Sequence, residues 1–299
     1  MTPLPTDDHL AALLPGPRSV VRRRISDPRA AIGAGGYALT LQVAHPTIAA
    51  GVREHSNYES DPWGRLFRTV DFVFQLAYGD TATVAALARD LRASHRAITG
   101  TDPTGRRYSA LEPSAYAWVH ATIGIALARG HQLMGSPLDR LESEQYWREW
   151  LDLGEALGVD RDRLPPTWSG VAPYLDRMIA DVLEDSDVIH TLRASARLPV
   201  GGSPLSWLPE RVWAAAGAPI APVVYFLGVG MLPPVLRERF HMRWSPAHQA
   251  AFVAYCAASR AATPVLPRAV RQAGPLALRV RRRETGPFGM SNRRVRVAG

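Results

Sequence analysis

Two arginines and a threonine recur at helical spacing within an apolar stretch of the chain. Arg65, Arg68 and Thr69 fall at i, i+3 and i+4, so a helix places them on one face together with Phe72. Guanidinium groups stay charged and donate several hydrogen bonds, which suits them to hold anionic or oxygen-bearing groups. This pattern predicts a polar site beside a mostly buried pocket. The alternative is an exposed helix edge whose arginines extend into solvent.

A histidine lies on the apolar face of another predicted helix. His95 shares that face with Leu91 and Ile98, whereas the neighbouring charged residues fall largely on other faces. One interpretation is a core histidine that makes a single hydrogen bond. The other is an axial ligand of haem iron, in which one ring nitrogen binds the metal and the other donates to a nearby acceptor.

Three further histidines and a glutamate are weaker candidates. His45, His55 and His120 each suit a structural hydrogen bond, which is the interpretation that the residue types favour. As alternatives, His45 or His55 would line a pocket near Arg65, and His120 would be a second metal ligand. Glu54 is a candidate general base.

The hydrophobic periodicity is helical almost throughout and predicts an all-α protein. Asp61 as N-cap, Pro62 at the first position and Gly79 at the end delimit one helix clearly. Pro46 should break an alanine-rich segment, and residues 100–112 should form a turn-rich loop without strands. The predicted helical segments are residues 29–52, 62–78, 81–99, 113–130, 136–157, 173–183 and 246–262.

Composition excludes several chemistries. All 35 basic residues are arginine, which rules out a Schiff-base or P-loop lysine, and the single Cys256 rules out an internal disulfide. No H-E-x-x-H, C-x-x-C or G-x-S-x-G motif occurs. Residues 212–232 are uncharged but interrupted by proline and glycine, so we interpret them as buried helices and not as a membrane span. The acidic first residues lack signal-peptide order, so we expect a cytoplasmic protein.

The basic charge is concentrated at the carboxy terminus. Residues 279–296 hold seven arginines and one glutamate, which accounts for most of the net charge of +8. The rest of the chain is nearly balanced, so we expect no nucleic-acid-binding face. We expect a disordered tail with weak attraction to anionic membranes.

Four motifs in order resemble a known family. They are LQVAHPTIAAGVREHS, DPWGRLFRT, HRAITGTDPTGRRYSALEP and WVHAT. Together they resemble the rubber oxygenases (latex clearing proteins) and the MpaB-type oxygenases, most of which are bacterial proteins. The resemblance extends weakly to GVGMLPPVLRERFHMRWSP and covers roughly residues 18–262.

The resemblance implies a haem-b-dependent oxygenase, an oxidoreductase that acts on a small apolar organic substrate with dioxygen. His95 matches the family's iron ligand, and Arg65 and Thr69 match its arginine–threonine motif, where they would hold haem propionates or polarise dioxygen. Arg68 stands where rubber oxygenases carry a lysine that can cap the iron. An arginine stays protonated and cannot ligate iron, so the sixth position should be open or water-filled.

We therefore expect one multi-helix domain over residues 18–278, after an extension over residues 1–17 and before the tail at 279–299. A globin-like core is one arrangement that such helices allow. The alternative function is a non-catalytic helical protein that binds a small hydrophobic ligand with an anionic group, which the arginines would hold.

The tail prediction is testable by truncation. Removing residues 279–299 should leave the melting temperature and any bound cofactor unchanged, because an arginine-rich segment with little apolar periodicity buries too little surface to order itself. Thermal unfolding of full-length and truncated protein checks this. A markedly lower melting temperature or loss of cofactor would show that the tail packs on the domain.

Overall fold

The computed structural model describes residues 2–56, 62–195 and 220–267, together with residues 209, 211, 212, 215 and 271. Helices dominate this part of the chain, which confirms the all-α prediction. It contains a short hairpin of β1 (Thr99–Thr101) and β2 (Arg107–Ser109). It also contains thirteen α-helices: α1 Asp7–Leu13, α2 Val20–Arg24, α3 Pro28–Val43, α4 Pro46–His55, α5 Pro62–Tyr78, α6 Thr81–Arg96, α7 Pro113–Leu133, α8 Arg140–Ala156, α9 Val171–Asp181, α10 Asp187–Ser195, α11 Ile220–Met231, α12 Pro234–Arg239 and α13 Pro246–Ala261.

Capping residues set most helix starts where the sequence predicts them. Pro46 opens α4 and separates it from α3, as expected of a residue that cannot continue a helix. Asp80 accepts a hydrogen bond from the Thr83 amide at 2.8 Å and starts α6. Ser245 forms a capping box at the start of α13. The predicted N-cap Asp61 lies outside the described residues, but α5 begins at Pro62 and ends at Tyr78 as predicted.

The loop predicted at residues 100–112 is instead partly a hairpin. The helix α6 ends at Arg96, and residues 99–101 pair with residues 107–109 as antiparallel strands. The Asp102 carboxylate closes the turn, because it accepts hydrogen bonds from the amides of Thr104 and Arg106 at 3.0 and 2.9 Å. Strands of three residues are too short to show an alternating pattern, which is why the sequence did not predict them.

Helix α3 lies at the centre of the helix packing, between α7 and α11. Glycines permit both contacts. A Cβ atom on Gly228 of α11 would lie 3.0 Å from backbone atoms of Gly36 on α3. A Cβ atom on Gly130 of α7 would clash with the Ala30 carbonyl oxygen and lie 2.9 Å from its carbonyl carbon. The backbones of three helices therefore approach more closely than larger side chains would allow.

The core around these helices is apolar and includes the single cysteine. Cys256 is buried, as the sequence predicts for an inert core residue. The Trp118 indole donates to the Leu41 carbonyl at 3.0 Å and ties α7 to α3. Among the described residues, no helix has both the length and the apolar character needed to cross a membrane. The tail predicted at residues 279–299 lies outside the described residues and stays a prediction.

The glycine contact between α7 and α3 can be tested by adding one methyl group. Gly130→Ala should lower the free energy of unfolding by about 1–3 kcal/mol, because the Ala30 backbone must move to admit the new Cβ atom. Gly16→Ala is the matched control, since no atom lies within 4 Å of its Cβ position, and we expect a change within about 0.5 kcal/mol. Equal stability of the two variants in urea unfolding would contradict this packing.

Candidate functional site

An apolar cavity with a volume of about 180 Å³ lies between α3, α5 and α7. Its walls come mainly from those three helices, with one residue each from α4 and α10 and one from the turn before α3. The lining residues are Ile25, Ala31, Ala34, Gly35, Ala38, Leu39, Gln42, Val52, Thr69, Val70, Val73, Phe74, Ile123, Ala126, Leu127 and Leu192.

The central helix makes this space through its small residues. Ala31, Ala34, Gly35 and Ala38 recur at helical spacing on the face of α3 that borders the cavity. Short side chains there leave a gap that larger ones would fill. Helix α5 supplies the opposite wall with Phe74 and valines. The cavity is therefore a direct consequence of residue size along one face of α3.

The cavity is open between α3 and α5. Leu39 and Val70 are 36% and 37% exposed although both line it, and Thr69 is also exposed. Apolar side chains at an opening give a neutral organic molecule a favourable path out of water.

The predicted arginine–threonine face is only partly described. Thr69 lines the cavity, as the prediction of a polar site beside a pocket requires. Arg68 is exposed on α5, and both residues have interaction partners. Phe72 packs against the core without lining the cavity. The side chain of Arg65 lies outside the described part, so its place in the site stays a prediction.

His95 is hydrogen-bonded to the backbone of its own helix. Its Nδ1–H donates to the Leu91 carbonyl oxygen, four residues earlier on α6, at 2.8 Å. The ring lies edge-on to Tyr116 at 6.2 Å, and burial lowers the pKa of His95 and so favours the neutral form. With the proton on Nδ1, Nε2 carries the lone pair, and no hydrogen bond within the described residues occupies it. His95 does not line the apolar cavity.

His120 has the contacts of a structural residue. Its Nε2 lies 2.7 Å from the Trp150 carbonyl oxygen, and its ring stacks on the Trp150 indole at 4.9 Å. Because the side chain is fully enclosed, burial lowers its pKa to about 4. These contacts favour the structural interpretation over a second metal ligand.

Two of the remaining candidates, His55 and Glu54, make local contacts with Tyr108. His45 is buried at the N-terminus of α4, burial lowers its pKa, and within the described residues its Nδ1 has no hydrogen-bond partner. His55 Nε2 lies 3.1 Å from the Tyr108 hydroxyl, which also donates to the Glu54 carboxylate. The cavity is not lined by His45, His55 or Glu54. Within the described residues, no group of three or more histidine, cysteine or acidic side chains could hold a metal ion.

The sequence did not single out two residues that matter here. Tyr108 on β2 contacts both Glu54 and His55 at the end of α4. Residue spacing in the sequence does not predict a contact between these two elements. Within the part of the chain that the structure describes, Gln42 is the other polar residue that lines the cavity besides Thr69. Its signal in the sequence is a polar side chain that continues the small-residue face of α3.

Fold and cavity together define an all-helical protein with an internal apolar site. The family model described as "ER-bound oxygenase mpaB/B'/Rubber oxygenase, catalytic domain" matches residues 22–261. The chain belongs to this family of oxygenase catalytic domains, as its motifs indicated. No curated protein matches the chain, and no solved structure does. The globin-like core and the boundaries 18–278 stay predictions.

The enclosure of His120 predicts a pH dependence of stability. A folded pKa of about 4, against 6.5 for an ordinary histidine, means that the unfolded chain binds the proton more readily. The contribution of neutral His120 to the free energy of unfolding is therefore fully present above about pH 6.5, and it is lost as the pH falls toward 4.

His120→Gln keeps a donor for the Trp150 carbonyl. Between pH 7 and pH 5, we expect its free energy of unfolding to fall by about 2 kcal/mol less than that of the wild type. Urea unfolding at both pH values measures the difference, and other titrating groups cancel in the comparison. Parallel pH dependence of the two proteins would contradict the enclosure of this imidazole.

Proposed function

We propose that this protein is a haem-b-dependent oxygenase that acts on a small, neutral, apolar organic substrate. Family membership supports the oxygenase class. The single observation that carries the haem assignment is the Nδ1–H hydrogen bond from His95 to the Leu91 carbonyl. That bond fixes the tautomer and leaves Nε2 to bind a metal.

The donor chemistry at His95 fits haem iron. A neutral imidazole whose other nitrogen donates to a backbone carbonyl is the usual axial arrangement, and a haem needs only this one protein ligand to be held. The absence of a multidentate metal cluster in the described residues is therefore compatible with the proposal. Haem supplies the dioxygen chemistry when it is bound.

The described cavity suits the substrate, not the macrocycle. An apolar cavity of about 150 Å³ holds one benzene molecule, and the cavity here is of similar size, at about 180 Å³. Its apolar walls favour a hydrophobic compound over water. Thr69 borders this space, and we assign Arg65, Arg68 and Thr69 the role of donating hydrogen bonds to haem propionates or to the oxygen-bearing reactants.

The arginine at position 68 has a separate consequence. A guanidinium group donates hydrogen bonds and would not ligate a bound metal as a lysine amine can. If haem is bound, Arg68 would therefore leave the access of dioxygen unblocked.

The alternative, a non-catalytic binding protein for a hydrophobic ligand with an anionic group, has less support. Among the described residues that line the cavity, none carries a charged side chain. An anionic group held by those residues alone would lose its hydration without a paired cation, which is strongly unfavourable.

Replacing His95 tests the proposal. His95→Ala should lose bound haem, seen as disappearance of the Soret band, because the axial nitrogen is removed. The far-UV circular dichroism spectrum should keep its helical signal, since the ring is only partly buried. Turnover of apolar substrates with dioxygen should fall with the haem content.

The matched control is His190→Ala. It removes a histidine of α10 whose Nε2 lies 3.0 Å from the Asp185 carboxylate. We expect it to keep full haem content. If His95→Ala retains one haem per chain, another histidine is the ligand, and His120→Ala is the next variant to examine.

A further inference from the structure

The cavity has one polar wall position whose orientation the structure fixes. The Gln42 side-chain nitrogen Nε2 donates to Thr122 Oγ1 at 3.0 Å and to the Val119 carbonyl oxygen at 3.3 Å. A backbone carbonyl can only accept hydrogen bonds, so the nitrogen, and not the oxygen, of the amide must face Val119.

Thr122 reinforces this orientation. Its hydroxyl lies 2.9 Å from the Trp118 carbonyl and 2.9 Å from the Val119 carbonyl, so its proton is donated to the backbone of α7. The hydroxyl oxygen is therefore left to accept from Gln42. Both amide protons of Gln42 then have partners on α7, and the amide cannot turn over without losing them.

The amide oxygen is the part of Gln42 left to interact with an occupant. Within the described residues no hydrogen bond reaches Oε1, and this oxygen is not among the fully enclosed polar atoms without a partner. Gln42 lines the cavity, where the other described lining residues except Thr69 are apolar or glycine. An amide oxygen accepts up to two hydrogen bonds. The cavity thus presents an acceptor next to apolar walls.

We infer that Gln42 is a specificity-determining residue that accepts a hydrogen bond from a hydroxyl group of the substrate. The substrate class is then a neutral, ring-sized apolar compound, or such a part of a longer one, that carries a hydroxyl donor. This inference rests on the proposed function for the reaction, but the recognition itself is a property of the cavity. A purely hydrocarbon occupant leaves the Gln42 oxygen without a partner, which is unfavourable once water is excluded.

The experiment compares phenol with benzene, which differ only by the hydroxyl group. Dissociation constants of both probes are measured by calorimetry on the full-length protein as purified. The quantity of interest is the preference, which is the benzene constant divided by the phenol constant. Gln42→Met keeps the length of the side chain but removes the acceptor. We expect it to lower the preference for phenol about 2- to 10-fold relative to wild type.

Two further variants make the result specific. Ile123→Met changes an apolar lining residue and should alter both constants by the same factor, leaving the preference unchanged. Thr122→Val removes one partner of the Gln42 amide without removing Gln42, and it should lower the preference in the same direction. It also carries the test if Gln42→Met does not fold.

Three outcomes overturn the inference: an unchanged preference in Gln42→Met, an equal loss in Ile123→Met, or no binding of either probe at millimolar concentration. None of these measurements uses haem or turnover. If the role of Gln42 is wrong, the Soret measurement on His95→Ala still tests the haem proposal. If the haem proposal is wrong, the preference for phenol still tests the role of Gln42.

Discussion

The close approach of α3 to α7 and α11 is the constraint on which the rest of the structure depends. No side chain separates the three helices at Gly36, Gly130 and Gly228, and a Cβ atom at any of these positions would crowd the backbone of the neighbouring helix. One face of α3 is committed to these contacts. Its alanine-rich face then borders α5 and cannot fill the space there, which produces the apolar cavity. Packing in one direction and a cavity in the other arise from the same run of small residues.

Burial explains the different states of the histidines. His120 is fully enclosed, stacked on Trp150 and bonded to its carbonyl, so it serves packing. His95 is only partly buried, and its single strong acceptor is the helix backbone. The same desolvation lowers both pKa values. His95 is the less buried of the two, and its role as a metal ligand stays a proposal.

The sequence predicted the elements better than the site. Proline and capping residues such as Asp80 and Ser245 act locally, so helix starts could be predicted from neighbouring residues alone. The hairpin at residues 99–109 depends on Asp102 side-chain bonds and strands of three residues, which leave no periodic signal. Gln42 acquires its meaning only through Thr122 and Val119 on another helix, a contact that spacing along α3 cannot show. Thr69 lines the cavity whereas Arg68 does not, so the functional role of this helix face stays a prediction.

The proposed function depends first on whether His95 would hold haem iron without a second protein ligand. The most direct measurement is the absorption spectrum of the full-length protein from haem-supplemented expression, recorded with its haem content per chain. The account predicts a Soret band at one haem per chain, with a high-spin ferric spectrum that becomes low-spin when imidazole is added, because Arg68 cannot ligate iron as a lysine can. A colourless protein that does not take up haem, or a resting spectrum with two protein ligands, would contradict it.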